Sequence, residues 1–529
     1  MSIADDDLHR RAVFTNYAEQ APRTPEGSRL WCYTDALSYV AGETVRVHVN
    51  ATVPEFEAVL ARDGATLMEV HRRGGLTAGF HHTPDDCSVA GCGWPVAFEI
   101  PVAETWPSGV YRLTLSAAAG ASADHLVIIR PGPGDKAGRL LLVAATASWT
   151  AYNDWGGSNH YEGLTGPEGN LYSPVLSIRR PYARGFVTLP GAAPRIALAT
   201  PPDLLAPARY PHMEWAWLNG YSKKYASAGW ASYDRHFVVW AEAQGYRIDV
   251  VAQTDLHYRP EIIRDYACLV MVGHDEYWSW EMRDAVDAYV ESGGGIARFA
   301  ANFMWQIRLE DHGRTQICYK YRARAEDPIH GTADTRLTTE SWEAPGIGRP
   351  GALTFGLNAT RGLYAGWGGC AARGAGGFTV YRPDHWAFAG TGLSYGDLLG
   401  AQSKAFGYEV DGLDYEIRGG LPYPAPGQPV PDGIEILALG LSTLIEEGDG
   451  LGHVFIGRDE VDYVAGFTFG DTTPESIERV KRGAGMIVSF ARGAGEVFHA
   501  GSCEWVAGLL RRDPFVERVT RTVLDRFIA

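Results

Sequence analysis

Nowhere in the 529 residues do apolar side chains run together for the roughly 18 positions that a membrane-crossing helix needs, so no membrane partner is expected. Met1 to Phe14 is charged and lacks the apolar h-region of a signal peptide, which makes the cytoplasm the expected location. Basic residues are outnumbered, 47 Lys and Arg against 63 Asp and Glu for a net charge of −16, and no basic stripe offers a footprint for phosphates. Nucleic acid is therefore excluded as an expected partner. Cysteine is sparse: Cys32, Cys87, Cys92, Cys268, Cys318, Cys370 and Cys503 form an odd, scattered set without the paired spacing of a zinc site. Cys268 lies inside an apolar run and reads as a buried thiol, while Cys87 and Cys92 would pair only in an oxidising compartment. No Gly-x-Cys-x-Gly elbow occurs, which argues against a nucleophilic cysteine.

Aromatic residues are plentiful, with 16 Trp and 26 Tyr beside 63 Gly. Many rings sit next to Gly, Asn, Asp and His, as in Trp149-Thr150-Ala151-Tyr152-Asn153-Asp154-Trp155-Gly156-Gly157. Such a stretch suits a loop that builds a pocket, or equally rings that cap the end of a sheet.

The length calls for two or three domains. After an N-terminal extension (1–30), residues 31–133 alternate in the manner of strands, as in Thr44-Val45-Arg46-Val47-His48-Val49, with turn residues between the runs. This predicts a β-sandwich accessory domain. Pro131-Gly132-Pro133-Gly134 forms a turn-rich joint. From 138 to 310 the pattern becomes that of an α/β catalytic core with a parallel sheet, beginning at Leu140 to Ala145. Asp234 to Ala243 has helical spacing and Gly245 stops it; Arg247 to Val251 follows as a strand. Residues 311–460 are rich in Gly, Pro and Trp and predict a β-rich insertion folded over the site. Residues 461–529 return to the core through a strand pair at Met486–Phe490 and Glu496–Gly501 and a last helix opened by Asp513-Pro514.

The centre of this arrangement is the apolar run Leu269 to Gly273, which stops at His274-Asp275-Glu276-Tyr277-Trp278. A run of this kind reads as a strand covered on both faces. Ser279 is placed to cap the next helix, and Glu276 reads as a carboxylate favouring that helix N-terminus. The next strand, Ile296 to Ala300, also ends in polar and aromatic residues, Asn302-Phe303-Met304-Trp305-Gln306. Ligands of open α/β sheets bind beyond the carboxyl ends of the strands, so the two ends point to one site.

Taken with Thr254-Asp255-Leu256-His257, Gly407-Tyr408-Glu409-Val410-Asp411 and Glu496-Val497-Phe498-His499-Ala500-Gly501, these stretches resemble the N,N-dimethylformamidase large (beta) subunit family over about 140–529. The resemblance implies a core like that of class I glutamine amidotransferases. It also implies hydrolysis of a small tertiary amide by a mononuclear iron held by two tyrosines and one glutamate, with a small second subunit or self-association as partner. The additional lectin-like domain of that family has no room in this chain. Carried over residue by residue, the resemblance makes Tyr277 one tyrosine ligand and Tyr233 the other, with Tyr225 and Tyr246 close by. It offers Glu340 or Glu343 as the third ligand, with Asp327 behind them, and makes Glu409 an acid/base carboxylate.

Phenolate and carboxylate are hard anionic donors that favour a hard cation, and a trivalent iron acts as a Lewis acid toward water and a carbonyl. His274 or Glu409 would move the proton that the leaving amine requires. Asn302 completes this catalytic group, unless it only satisfies loop backbone. Glu409 and Asp411 alternate with apolar neighbours, which would leave one of them facing solvent. A fully methylated amide has no N–H to recognise, and Trp278, Phe303 and Trp305 would form its apolar wall. The competing reading is a non-catalytic carbohydrate-binding or cell-surface protein that keeps the fold without the metal, since fold alone does not assign function.

Overall fold

The computed structural model describes residues 19, 23–118, 120–163, 173–191, 193, 211–364, 377–442, 458–480 and 482–529. Most of the expected 1–30 extension, Cys370 and parts of the 311–460 region lie outside the described residues. Among the described residues, no helix is long and apolar enough to cross a membrane.

The N-terminal part holds strands β1 (Leu30–Thr34), β2 (Ser38–Tyr39), β3 (Thr44–Ala51), β4 (Phe56–Asp63), β5 (Leu67–Leu76), β6 (Val96–Pro101), β7 (Gly109–Ser116) and β8 (Ser122–Ile129). They form two sheets, ordered β1-β3-β6 and β2-β8-β7-β4-β5. In β3, Val45, Val47 and Val49 are buried while Arg46 between them is exposed, the two-residue period of a strand with one covered face. Those valines share an apolar cluster with Leu60, Leu113, Leu115 and Val127 of the second sheet. Between β5 and β6 a single helical turn, α1 (Cys87–Ala90), reaches toward the rest of the molecule.

The larger part is built on a nine-stranded sheet of β9 (Arg139–Ala144), β10 (Arg247–Ala252), β11 (Cys268–His274), β12 (Gly295–Ala301), β13 (Phe378–Val380), β14 (Leu398–Leu399), β15 (Glu435–Ser442), β16 (Gly483–Arg492) and β17 (Gly495–His499). Its order is β10-β9-β11-β12-β17-β16-β15-β13-β14. The first five strands in that order run parallel. The rest are antiparallel. The sheet is therefore mixed, and the reversal has a local cause. Only Gly493-Ala494 separates the paired residues Arg492 and Gly495, and a two-residue link with Gly493 at φ +57° makes a hairpin. The 311–460 stretch, expected over the site, also supplies β13, β14 and β15 to this sheet.

Helices cover the faces. After β9 comes α2 (Thr146–Tyr152), with all seven residues buried, where a loop was expected from Trp149. Helix α3 is Asp234–Ala243, as its spacing predicts. Helix α4 (Trp280–Glu291) starts where Ser279 Oγ accepts the Met282 amide at 3.3 Å. Helix α5 (Pro514–Ile528) starts where the Asp513 carboxylate accepts the amides of Phe515 and Val516 at 3.0 and 3.2 Å.

Candidate active site

Strands β11 and β12 end side by side, with His274 opposite Ala301, so the side chains that follow meet at the carboxyl edge of the sheet. Gly273 makes the bend before His274 at φ +72°, and a Cβ there would lie 2.4 Å from Cβ of Tyr233. After β12, Asn302 adopts φ +64°, a left-handed conformation that asparagine tolerates better than most residues. Asp411 holds that turn, its carboxylate accepting the amides of Asn302 at 2.8 Å and Phe303 at 3.3 Å. Asp411 and Glu409 belong to one short strand, Glu409–Gly412, and both are buried, so neither faces solvent.

His274 donates from Nδ1 to the Ser227 carbonyl at 2.5 Å, and its Nε2 lies 2.6 Å from Glu409 Oε2 and 3.4 Å from Glu276 Oε2. Burial alone would lower the pKa of this imidazole, but the Glu409 and Glu276 carboxylates outweigh it and raise it to about 10. Asn302 Nδ2 donates to Glu409 Oε2 at 2.7 Å and sits 3.0 Å from His274 Nε2. His274, Glu409 and Asn302, drawn from three separate stretches of chain, thus form one buried imidazolium–carboxylate–amide group.

Beside it lies a second group centred on Glu276. Its carboxylate accepts the Tyr152 hydroxyl at 3.0 Å and the Tyr161 hydroxyl at 2.7 and 2.8 Å, and the Tyr277 hydroxyl donates to that of Tyr161 at 2.8 Å. The ammonium of Lys320 lies 3.5 Å from the centre of the Tyr161 ring. Burial works to raise the Glu276 carboxyl, yet His274, Lys320 and the Tyr161 hydroxyl hold it below its ordinary value. Burial and the Glu276 charge push the phenols of Tyr152, Tyr161 and Tyr277 up. Glu276 does not cap α4, since Ser279 does that work and the Glu276 amide is itself bound to Ser148 Oγ at 3.0 Å.

The turn carrying Tyr161 is held by Arg180 and by residues of the N-terminal part. Arg180 donates to the carbonyls of Trp155, Ser158 and Asn153 at 2.5, 2.9 and 2.9 Å. Ser88 of α1 meets Ser158 with 2.5 Å between hydroxyl oxygens, and the Trp155 ring lies 5.6 Å from Trp31 and 5.9 Å from Trp94. Sequence reasoning missed Tyr152, Tyr161 and Lys320 as members of the site. The ring-rich stretch from Trp149 to Gly157 contains Tyr152 but stops short of Tyr161.

Several expected members are engaged elsewhere. Tyr233 donates its hydroxyl to the Ala226 carbonyl at 3.0 Å. Glu340 pairs with Arg324 at 2.9 Å and accepts from Tyr463 at 3.4 Å, Glu343 accepts the Gly351 amide at 2.6 Å, and Asp327 is bound by Arg308 and Thr339. Tyr233 thus bonds to Ala226, Tyr277 to Tyr161 and Glu340 to Arg324, three different partners for the expected ligand trio. Trp278 and Phe303 pack with Phe355 and Trp342 inside the second apolar cluster, and Trp305 stands near Lys320, 5.0 Å from its ammonium. Asp275 is an anchor: it accepts from Gln253 and Trp278, both at 2.8 Å, and pairs with Arg298.

Two donor sets compete for a cation. His274, Glu409 and Cys503 place ligand atoms within 4.8 Å of one another, a mixed nitrogen, oxygen and sulfur set. Tyr152, Tyr161 and Glu276 bring two phenol oxygens onto one carboxylate, an all-oxygen hard set suited to a highly charged cation.

Comparison with known proteins agrees with the resemblance. The chain is 24% identical over 512 residues to the N,N-dimethylformamidase beta subunit of Paracoccus aminophilus, a match covering 84% of this chain and 55% of that protein. It is 30% identical over 130 residues to the N,N-dimethylformamidase beta subunit of Alcaligenes sp., covering 24% and 15%. The chain thus spans about half the length of the first relative and a smaller part of the second. A cycloisomaltooligosaccharide glucanotransferase of Paenibacillus sp. aligns over 51% of this chain and 53% of its own at 10% identity, with a TM-score of 0.17 that carries no inference. Residues 61–517 match the family described as N,N-dimethylformamidase beta subunit-like, C-terminal, and the chain belongs to that family.

Proposed function

We propose that this protein hydrolyses the C–N bond of small amides, with Tyr152, Tyr161 and Glu276 holding a ferric ion and His274 and Glu409 handling the protons. The observation that carries this reading is the meeting of two tyrosine hydroxyls on one glutamate, 2.7 to 3.0 Å away, directly beside the His274–Glu409 pair. Two tyrosines and one glutamate is the ligand chemistry that the resemblance implies, with different residues filling it than Tyr233, Tyr277 and Glu340. The expected core, like that of glutamine amidotransferases, stays part of this proposal, supported by the five parallel strands.

Bound ferric iron supplies Lewis acidity toward water and the amide carbonyl. The remaining chemistry belongs to the chain. Glu409 takes a proton from the attacking water, whose oxygen becomes bonded to the acyl carbon. His274, paired with Glu409, delivers a proton to the amide nitrogen as the C–N bond breaks. A carboxylic acid and an amine result. Asn302 orients Glu409, and Lys320 places a positive charge over Tyr161 where negative charge gathers. The relatives are named beta subunits, which supports a companion subunit for this chain as well.

The test is iron content, visible absorption and formate release from N,N-dimethylformamide, measured on wild type and Glu409→Gln. Stoichiometric iron in both, with formate release reduced about 100-fold or more in the variant, is the expected result for loss of an acid/base group. Protein that takes up no iron on reconstitution, or a variant as active as wild type, overturns the reading.

A further inference from the structure

The tyrosine–glutamate cluster takes up only one of the two donor sets. In the other, His274, Glu409 and Cys503 offer one nitrogen, one oxygen and one sulfur, all buried and all within 4.8 Å of one another. Backbone pairing brings the thiol there. The Cys503 amide donates to the Glu409 carbonyl at 3.0 Å, and Val410 forms an antiparallel bridge with Ser502, so the two segments run side by side. Ser502 Oγ pins the junction by donating to the carbonyls of Ala405 and Gly407 at 2.7 and 2.8 Å.

What surrounds these three atoms is the outer support of a metal site. A ligating histidine donates its other ring N–H to a carbonyl or carboxylate, which fixes the ring, and ligating carboxylates are themselves hydrogen-bonded. His274 gives Nδ1 to the Ser227 carbonyl and keeps Nε2 on the Glu409 side, 2.6 Å from its carboxylate. The side-chain amide of Asn302 lies 2.7 Å from that same carboxylate. Charge points the same way. Glu409, Asp411 and Glu504 all direct negative charge at the Cys503 sulfur, a surplus that a bound cation relieves.

We propose that His274, Glu409 and Cys503 form a second metal site, selective for a borderline divalent cation such as Zn2+ or Co2+, whose occupation shuts the enzyme off. Zinc is bound by all three ligand types, whereas Mg2+ and Ca2+ take oxygen and a ferric ion is better served by the all-oxygen set. Tetrahedral zinc holds such donors about 3.4–3.6 Å apart. The widest separation, at most 4.8 Å, therefore closes by about 1 Å, and the His274–Glu409 contact of 2.6 Å opens by about as much. The cation takes the place of the proton held between His274 and Glu409, and the thiol proton leaves to solvent. Both groups are then withdrawn from proton transfer, a consequence that, unlike the site itself, rests on the amide-hydrolase reading above. Glu276 lies 3.4 Å from His274 Nε2 while its carboxylate holds Tyr152 and Tyr161, so it supplies negative charge to both sets and lets two metals be bound together.

Co2+ is the probe, because a cobalt–thiolate bond gives a near-ultraviolet charge-transfer band and bonds to oxygen and nitrogen do not. Added to the metal-free or the iron-loaded protein, Co2+ should raise that band without lowering iron content, and Zn2+ should abolish it by competition. Cys503→Ser should lose the band. In formate release from N,N-dimethylformamide, Zn2+ should inhibit iron-loaded wild type, with a chelator restoring the rate. Cys503→Ser should need more Zn2+ for the same inhibition, by at least the roughly 10- to 100-fold that losing an outer-shell partner costs. Should the variant fail to fold, X-ray absorption at zinc in wild type decides, with one sulfur at about 2.3 Å among nitrogen and oxygen at about 2.0–2.2 Å expected. No cobalt–thiolate band in wild type, a band that survives in Cys503→Ser, zinc that expels the iron, or a zinc shell without a single sulfur overturns the site. Zinc that binds through Cys503 without slowing an active enzyme overturns the shut-off. A Cys503-dependent band in iron-loaded protein that turns over no amide upholds the site and overturns the hydrolase reading.

Discussion

Replacing Tyr161 by Phe separates the ligand set assembled around Glu276 from the set centred on Tyr277. The substitution keeps the ring, and with it the Lys320 contact, but removes a hydroxyl that donates to Glu276 at 2.7 and 2.8 Å and accepts from Tyr277 at 2.8 Å. A hydrogen bond to a charged group contributes about 1.5–3 kcal/mol, and the Tyr277 hydroxyl left buried without its acceptor adds about 1–3 kcal/mol, so the metal-free protein should lose about 3–5 kcal/mol in urea unfolding. Tyr277→Phe removes a neutral donor only and should cost about 1 kcal/mol. The two variants should part more sharply in metal binding. Tyr161→Phe should lose iron and the visible ferric-phenolate absorption, while Tyr277→Phe keeps both with at most a shifted band. Iron analysis and an absorption spectrum on the reconstituted proteins read this directly. Full iron and colour in Tyr161→Phe, together with their loss in Tyr277→Phe, would refute the assignment and return Tyr277 to the metal.

Two further outcomes are expected. Gly273→Ala places a Cβ against Tyr233 at a backbone angle of +72°, so it should destabilise the protein by about 3 kcal/mol in chemical denaturation and displace His274, lowering amide turnover more than iron content. Asp234, the first residue of α3, is buried, and burial raises its pKa from 3.8 to about 8. A raised folded-state pKa means that its contribution is fully present below pH 3.8 and is lost as pH rises through 8, at about 1.4 kcal/mol per pH unit. Asp234→Asn should therefore gain stability over wild type progressively across that window in urea titrations. A difference between the two that does not change with pH would contradict the buried-carboxyl argument.

What could be read from the chain and what could not divides along physical lines. The run ending at His274, the Ser279 cap, helix Asp234–Ala243 and the Asp513 cap all rest on neighbours within a few residues, and the structure has each of them. His274, Asn302 and Glu409 were legible as candidates because each follows or belongs to a strand with a marked apolar pattern, and the structure brings all three within hydrogen-bond distance. Tyr152 was hidden by burial: every residue of its helix is covered, so there is no polar face and no 3.6-residue period to read. Tyr161 sits in a turn whose position depends on Arg180 and on α1, far away in the chain, and no local pattern carries that information. Glu340 looked available because its partners, Arg324 and Tyr463, lie 16 and 123 residues away. Glu276 was assigned a task that Ser279 performs.

The way Tyr161 is held also bears on how the molecule can be taken apart. The turn from Asn153 to Tyr161 leans on Ser88, Trp31 and Trp94, all on the N-terminal side of the proline-rich joint. The N-terminal part is thus a jig for one arm of the tyrosine–glutamate cluster. An engineer who trims the chain at that joint to obtain a minimal enzyme, or who swaps in the sheets of a relative, would be altering the tool that sets the distance between a phenol and a carboxylate. The cut that looks modular on a domain diagram runs through the supports of the proposed site.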